Sequence, residues 1–176
     1  MKGNHPYVRW AIDVIENYIR FGKILEPYDT LPEELFTERA GVFVTLHKLD
    51  GSLRGCIGTF LPTQPNLALE IRENAIAAAT RDPRFEPVCS EELDDIEVSV
   101  DVLSTPVPIK SIDELDPKVY GVIVATEDGR RGLLLPDIEG VDSVEEQIRI
   151  ASYKAGIMYP YEKPSIIYKF TVTRYH

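Results

Sequence analysis

Cysteine and histidine are scarce in this chain, and their scarcity excludes most metal and disulfide chemistry. Cys56 and Cys89 are too few for a disulfide framework and are not spaced as a zinc motif. His5, His47 and His176 lie far apart, so no pair of imidazoles is set on one helix face and no metal site is expected. Long apolar runs are missing too; nothing approaches the roughly 20 residues of a membrane span. Asp13 and Glu16 interrupt the apolar pattern of the first helix, which no secretory signal would carry, so the cytoplasm is the expected compartment. No Gly/Ser-rich or Pro-rich linker divides the chain, and residues 1–176 read as a single domain. Basic charge is short: 19 Lys and Arg stand against 29 Asp and Glu, a net charge of −10. A general grip on nucleic acid needs a basic footprint to release counterions, so none is expected here. A small basic pocket that reads one phosphate or carboxylate stays open. No Walker loop, Gly-rich dinucleotide fingerprint, paired-carboxylate motif or Ser/His/Asp order is present.

What is present is periodicity. Val8, Ala11, Ile12, Ile15, Tyr18 and Ile19 recur at helical spacing and predict an opening amphipathic helix to about Ile24, stopped before Pro27. Residues Gly41 to Leu46 are β-branched and aromatic, Asp50-Gly51 signals a hairpin turn, and Leu53 to Phe60 supplies the returning strand. A helix follows with Leu67, Ile71, Ala75, Ala78 and Ala79 on one face. Ile96, Val98, Val100 and Val102 then alternate with polar residues, which predicts a strand with one wet face. The same order returns about eighty residues later. Gly121 to Thr126 echoes the run from Gly41, Asp128-Gly129 echoes the turn, and Arg131-Gly132 echoes Arg54-Gly55. Ser143 and Glu146 propose a capping box, Gly156 a helix stop, and Ile166, Tyr168, Phe170 and Val172 a last strand. The fold class is therefore α+β: an N-terminal helix, then two pseudo-repeats of strand-strand-helix-strand. The strands are expected in one mixed, mostly antiparallel sheet with flanking helices or in two layers.

The two halves differ at one place. The first reads Arg54-Gly55-Cys56-Ile57-Gly58, the second Arg131-Gly132-Leu133-Leu134-Leu135, a plain core strand. Glycine inside a strand marks a bulge or the close approach of a ligand or another backbone. Two glycines around Cys56 therefore call for an explanation that the second half does not.

These residues also carry a resemblance. Leu53-Arg54-Gly55-Cys56-Ile57-Gly58-Thr59 resembles the signature of the AMMECR domain family, named for Alport syndrome, mental retardation, midface hypoplasia and elliptocytosis. The likeness extends through Arg81-Asp82-Pro83-Arg84-Phe85, Val98-Ser99-Val100, Arg131 to Pro136 and Lys154-Ala155-Gly156. The resemblance implies an α+β arrangement with a larger and a smaller lobe around a cleft that could hold an active site, and no established activity. It also implies association with Memo-like and radical-SAM proteins, and through them a link to nucleotide or RNA modification. It names no cofactor.

Cys56 is the candidate nucleophile, and a thiolate there needs a cation or base such as Arg81, Arg84 or His47. Its bland alternative is a small packed hydrophobe. Asp82, before Pro83 at the close of a helix, is the second candidate catalytic group; it calls for a partner such as Arg84 or Arg54. Arg54, Gly55, Gly58, Arg84, Phe85 and Lys154 are the candidate ligand-binding residues. Arg84 could fork onto an anion and Phe85 stack on a base, or the same loop could simply fix itself. Lys154 could serve only to complement the carbonyls at its helix end. Three functions follow: a cysteine-dependent enzyme, an anion-binding module, or a protein-interaction subunit with an apolar patch on the first helix.

Overall fold

The computed structural model describes residues 1–176. The chain divides into two compact units, residues 1–102 with 173–176, and residues 103–172.

The first unit opens with α1, Pro6–Phe21. The His5 ring accepts a hydrogen bond from the Tyr7 N–H, and Pro6 occupies the first turn, where its missing donor costs nothing. Gly22 ends the helix in the left-handed region (φ 65°), its N–H returning to the Tyr18 carbonyl. The helix therefore stops short of Ile24; glycine at the cap decides the end, not the proline beyond it. A short helix, α2 (Glu34–Thr37), buries Leu35 in the stretch before the first strand. Strands β1 (Val42–Lys48) and β2 (Leu53–Thr59) form the expected hairpin, with Gly51 at φ 84° and the Ser52 N–H on the Asp50 carboxylate. Helix α3 (Leu67–Thr80) starts on Asn66, whose side chain takes the Leu69 N–H. Its predicted face is buried throughout. Strand β3 (Ile96–Leu103) pairs antiparallel with β1, and the sheet order is β2-β1-β3-β8, with β8 Val172–Tyr175. The core lies between α1, α3 and the sheet face carrying Val42, Val44, Leu46, Val98 and Val100.

The second unit holds β4 (Val107–Pro108), β5 (Gly121–Ala125), β6 (Arg131–Leu134), α4 (Val144–Lys154) and β7 (Ile166–Phe170), in sheet order β4-β7-β5-β6. Strand β5 pairs antiparallel with β6 and β7. Ser143 caps α4 by accepting the Glu146 N–H, but the Glu146 carboxylate turns to Arg149, so only half of the capping box forms.

In both units a hairpin is followed by a helix and then by a strand beside the hairpin's first strand. The strands make two separate four-stranded sheets, not one mixed sheet. Two expectations fail. The last strand is two, β7 and β8, parted at Thr171, whose N–H and C=O are both taken by Ser104. The face of β3 read as wet is wet only at Glu97, since Ser99 and Asp101 are buried. Strand β6 is an edge strand; Leu134 is buried, while Leu133 within it and Leu135 just past its end are half-buried.

Candidate functional site

Strand β2 lies at the edge of its sheet. Its register against β1 slips by one residue: Leu46 faces Gly55 while His47 faces Leu53, leaving Arg54 as the extra residue of a bulge. Positions 54 and 56 would share a face of an unbroken strand; the bulge is where that alternation breaks. The two glycines have separate causes. A Cβ on Gly55 would stand 2.3 Å from the Ala78 carbonyl oxygen of α3, so Gly55 lets the helix lie against the strand. Gly132 does the same for α4, where a Cβ would be 1.9 Å from the Ala151 oxygen. Gly58 makes room for the Phe43 ring and the Val42 carbonyl. Gly55 and Gly58 thus answer to packing within the protein.

Asp82, placed by the end of α3 and Pro83, is buried and saturated. It accepts from the Cys56 N–H (2.9 Å), the Arg84 N–H (3.1 Å), Arg84 Nε (2.9 Å) and Arg84 Nη2 (2.7 Å). The Arg84 side chain first, then the backbone donors, hold its carboxyl well below the usual carboxylate range. Arg84 Nη2 also donates to the Cys56 carbonyl at 3.3 Å. The pair thus takes both edge-facing backbone groups of Cys56, where a neighbouring strand would otherwise add. The Arg84 side chain remains 54% exposed.

The Cys56 thiol is half-buried and accepts a hydrogen bond from Thr45 Oγ1 at 3.2 Å. Burial pushes it up; the Thr45 bond and the Arg84 charge pull it down less, and Asp101 and Asp82 add to the rise. The balance lies on the side that disfavours the thiolate. By register Cys56, Thr45 and Ser99 stand side by side across β2, β1 and β3, with Gly58, Phe43 and Asp101 in the next row. Asp101, 1% exposed, accepts a two-pronged contact from Arg174 of β8, at 2.7 and 2.8 Å.

Arg54 is spent elsewhere. Nearly buried, it forks onto Glu92 through Nε (2.9 Å) and Nη2 (2.7 Å), and Glu92 also takes the Cys89 N–H. The bond to Glu92 raises Arg54 and lowers Glu92 from their ordinary values. The Phe85 ring has both guanidinium carbons near it, Arg54 at 5.9 Å and Arg84 at 5.5 Å. Cys56, Asp82, Arg84, Phe85 and Arg54 are therefore brought together in the first unit. Lys154 ends α4 in the second unit, exposed. The sequence reading missed Thr45, Glu92, Asp101 and Arg174. Their partners lie 11 to 73 residues away along the chain, and only strand register shows the pairing.

The AMMECR1 family profile matches residues 8–175, from the first helix to the last strand. The chain belongs to the AMMECR1 family. A protein of Thermotoga maritima is 69% identical over 99% of both chains. A protein of Clostridium acetobutylicum is 48% identical over 97% of this chain, which spans 36% of that longer protein. The crystal structure of an uncharacterized protein from Pyrococcus horikoshii superposes with a TM-score of 0.84 at 36% identity, covering 96% of this chain and 88% of that one. The segments carrying the AMMECR1 likeness fall in three places, one of them Val98–Val100 in β3. The Leu53–Thr59 and Arg81–Phe85 runs build the β2 edge, while Arg131–Pro136 and Lys154–Gly156 belong to the β6–α4 contact.

Proposed function

We propose that this AMMECR1 protein is a binding module for a small anion, a carboxylate or phosphate, read by Arg84 at the edge of β2. One observation carries the reading: a buried carboxylate, Asp82, fixes a guanidinium that is still half exposed. An arginine oriented in this way loses little freedom on binding, and its Nη1 edge stays available to a ligand. Arg81, exposed one residue before Asp82, adds positive charge to the same loop. Cys56 forms a neutral wall, since no base or cation lowers its thiol enough to make it a nucleophile at neutral pH. Arg54 and Phe85 brace the loop, being engaged with Glu92 and with each other. Asp82 positions Arg84 and has no spare lone pair for a general base.

The test is thermal stabilisation by phosphate, citrate and adenosine monophosphate, read alongside alkylation of Cys56 as pH is raised. Stabilisation that survives Cys56→Ser and vanishes in Arg84→Ala supports the module. Rapid alkylation of Cys56 below neutral pH, with Cys89 as the internal control, would return the site to nucleophilic chemistry.

A second reading, a protein-interaction subunit, draws on the end of α1, where Phe21 and Ile24 are 66% and 54% exposed. Phe21→Ser with Ile24→Ser should abolish any association that uses this patch and leave the anion response intact.

A further inference from the structure

The chain is acidic as a whole, but its last part is not. From Gln147 to His176 the one carboxylate side chain is Glu162, set against Arg149, Lys154, Lys163, Lys169 and Arg174. Tyr153, Tyr159, Tyr161, Tyr168 and Tyr175 lie in the same stretch, out of 9 tyrosines in all.

The segment that follows α4 is held firmly. Arg130 Nη1 donates to the Gly156 carbonyl (2.9 Å) and to Glu162 (3.1 Å), and its Nη2 also meets Glu162. Asp128 grips the Nε of the same arginine at 2.9 Å. The Ile157 N–H returns to the Ser152 carbonyl and the Glu162 N–H to that of Met158, both at 2.9 Å. Glu162 is thereby ion-paired, sharing the guanidinium with Asp128, and the loop is tied at both ends to that one arginine.

What the end of α4 and this pinned loop display is apolar and uncovered. Tyr153 is 81% exposed, Met158 71% and Tyr161 94%, with Pro160 between them and Lys154 and Lys163 exposed beside them. Single exposed apolar residues are ordinary on a protein surface. Three large ones on one braced segment, flanked by two lysines that hold no carboxylate, are not scatter.

We propose that residues 153–163 form a docking surface for an acidic segment of a partner protein. Its apolar side chains would cover Tyr153, Met158 and Tyr161, and its carboxylates would meet Lys154 and Lys163. Tyrosine and methionine are enriched at the centres of protein interfaces. A braced loop also gives up little freedom when it is covered. Two lysines are a thin footprint for nucleic acid, whose binding needs a row of phosphate contacts. A two-fold contact between copies through this loop would set lysine against lysine. The surface is independent of the Arg84 site, so either can fail alone.

The test is an NMR titration of the full chain with two short peptides of alternating residues, leucine with glutamate and leucine with lysine. The glutamate peptide should give saturable shifts at the Met158 methyl and the rings of Tyr153 and Tyr161, weakening as salt is raised. The lysine peptide should give none. Met158→Ser with Tyr161→Ser should weaken binding roughly tenfold or more. Lys154→Glu with Lys163→Glu should abolish it; all four positions are exposed, so the thermal midpoint should move little beyond the small cost of a carboxylate at the end of α4. No shift with the glutamate peptide overturns the proposal. So do larger shifts at these residues with oligouridylate, or self-association on concentration that the serine variant loses.

Discussion

At the scale of single residues, the site is governed by where each charge finds its partner. Asp82 keeps its charge in the folded protein because Arg84 and two backbone donors bind it. Its folded pKa is lowered, so the stability it contributes is present above the unfolded carboxylate value and drains away as pH falls toward the folded one. Asp82→Asn should therefore cost about 3 kcal/mol at neutral pH, by analogy with breaking a partly buried charge pair. It should also flatten the acid limb of a plot of stability against pH, measured by urea unfolding. Tyr28 shows the opposite sign. Burial first, then its hydrogen bond to Asp13 at 2.5 Å, raises the phenol to about 12. Its contribution is complete below the ordinary tyrosine value of about 10 and is lost as pH climbs from there toward 12. Ultraviolet titration should find a late-ionising fraction to which Tyr28 and Tyr7 both contribute, and Tyr28→Phe should remove the Tyr28 part of it.

At the scale of elements, the two Arg-Gly pairs do the same job. Each glycine lets a helix carbonyl reach its strand: Ala78 over Gly55 and Ala151 over Gly132. Gly55→Ala and Gly132→Ala should each cost ~2–3 kcal/mol or more, since backbone on both sides must shift. Gly140→Ala is the control. Its φ of 80° is strained for alanine, but nothing lies near its Cβ, so about 1 kcal/mol is expected. Equal losses at all three positions, read from guanidinium melts, would refute the helix-contact account. The sequence leaves a bulge, a ligand or another backbone open as reasons for Gly55 and Gly58, and backbone carbonyls, of Ala78 and Val42, are what stand against them. Gly55 is matched by Gly132 in the other unit and serves packing in both.

At the scale of the whole molecule, the C-terminus completes the sheet of the first unit. Strand β8 brings Arg174 to Asp101, a carboxylate that is 1% exposed and would otherwise be buried with its charge. Arg174→Met should cost about 3 kcal/mol or more, because it strands that charge. Truncation after Val172 should do at least as much. Unchanged stability in the truncated chain would mean that β8 is dispensable. The fold class, the order of elements and the face of α3 were legible before any coordinates, since helical and strand periods are written into local sequence. The separation into two sheets, the break at Thr171 and the burial of Ser99 and Asp101 were not.

Local chemistry thus determined a good deal by itself. Gly22 and Gly156 stop helices, Asp50-Gly51 turns a hairpin, and the alternation in β3 sets valines to one side, all through dihedral preference and spacing within a few residues. The residues grouped with Cys56 also lie beside it in space, since Asp82 and Arg84 bond its backbone. Only the tertiary structure decided what each group does there. The bulge at Arg54 sends its charge to Glu92, and Thr45 arrives across β1 to bond the thiol. Asp82 spends its lone pairs on Arg84 and the strand edge. Those assignments depend on register and burial, and both arise from contacts between residues far apart in the chain, which no local pattern encodes.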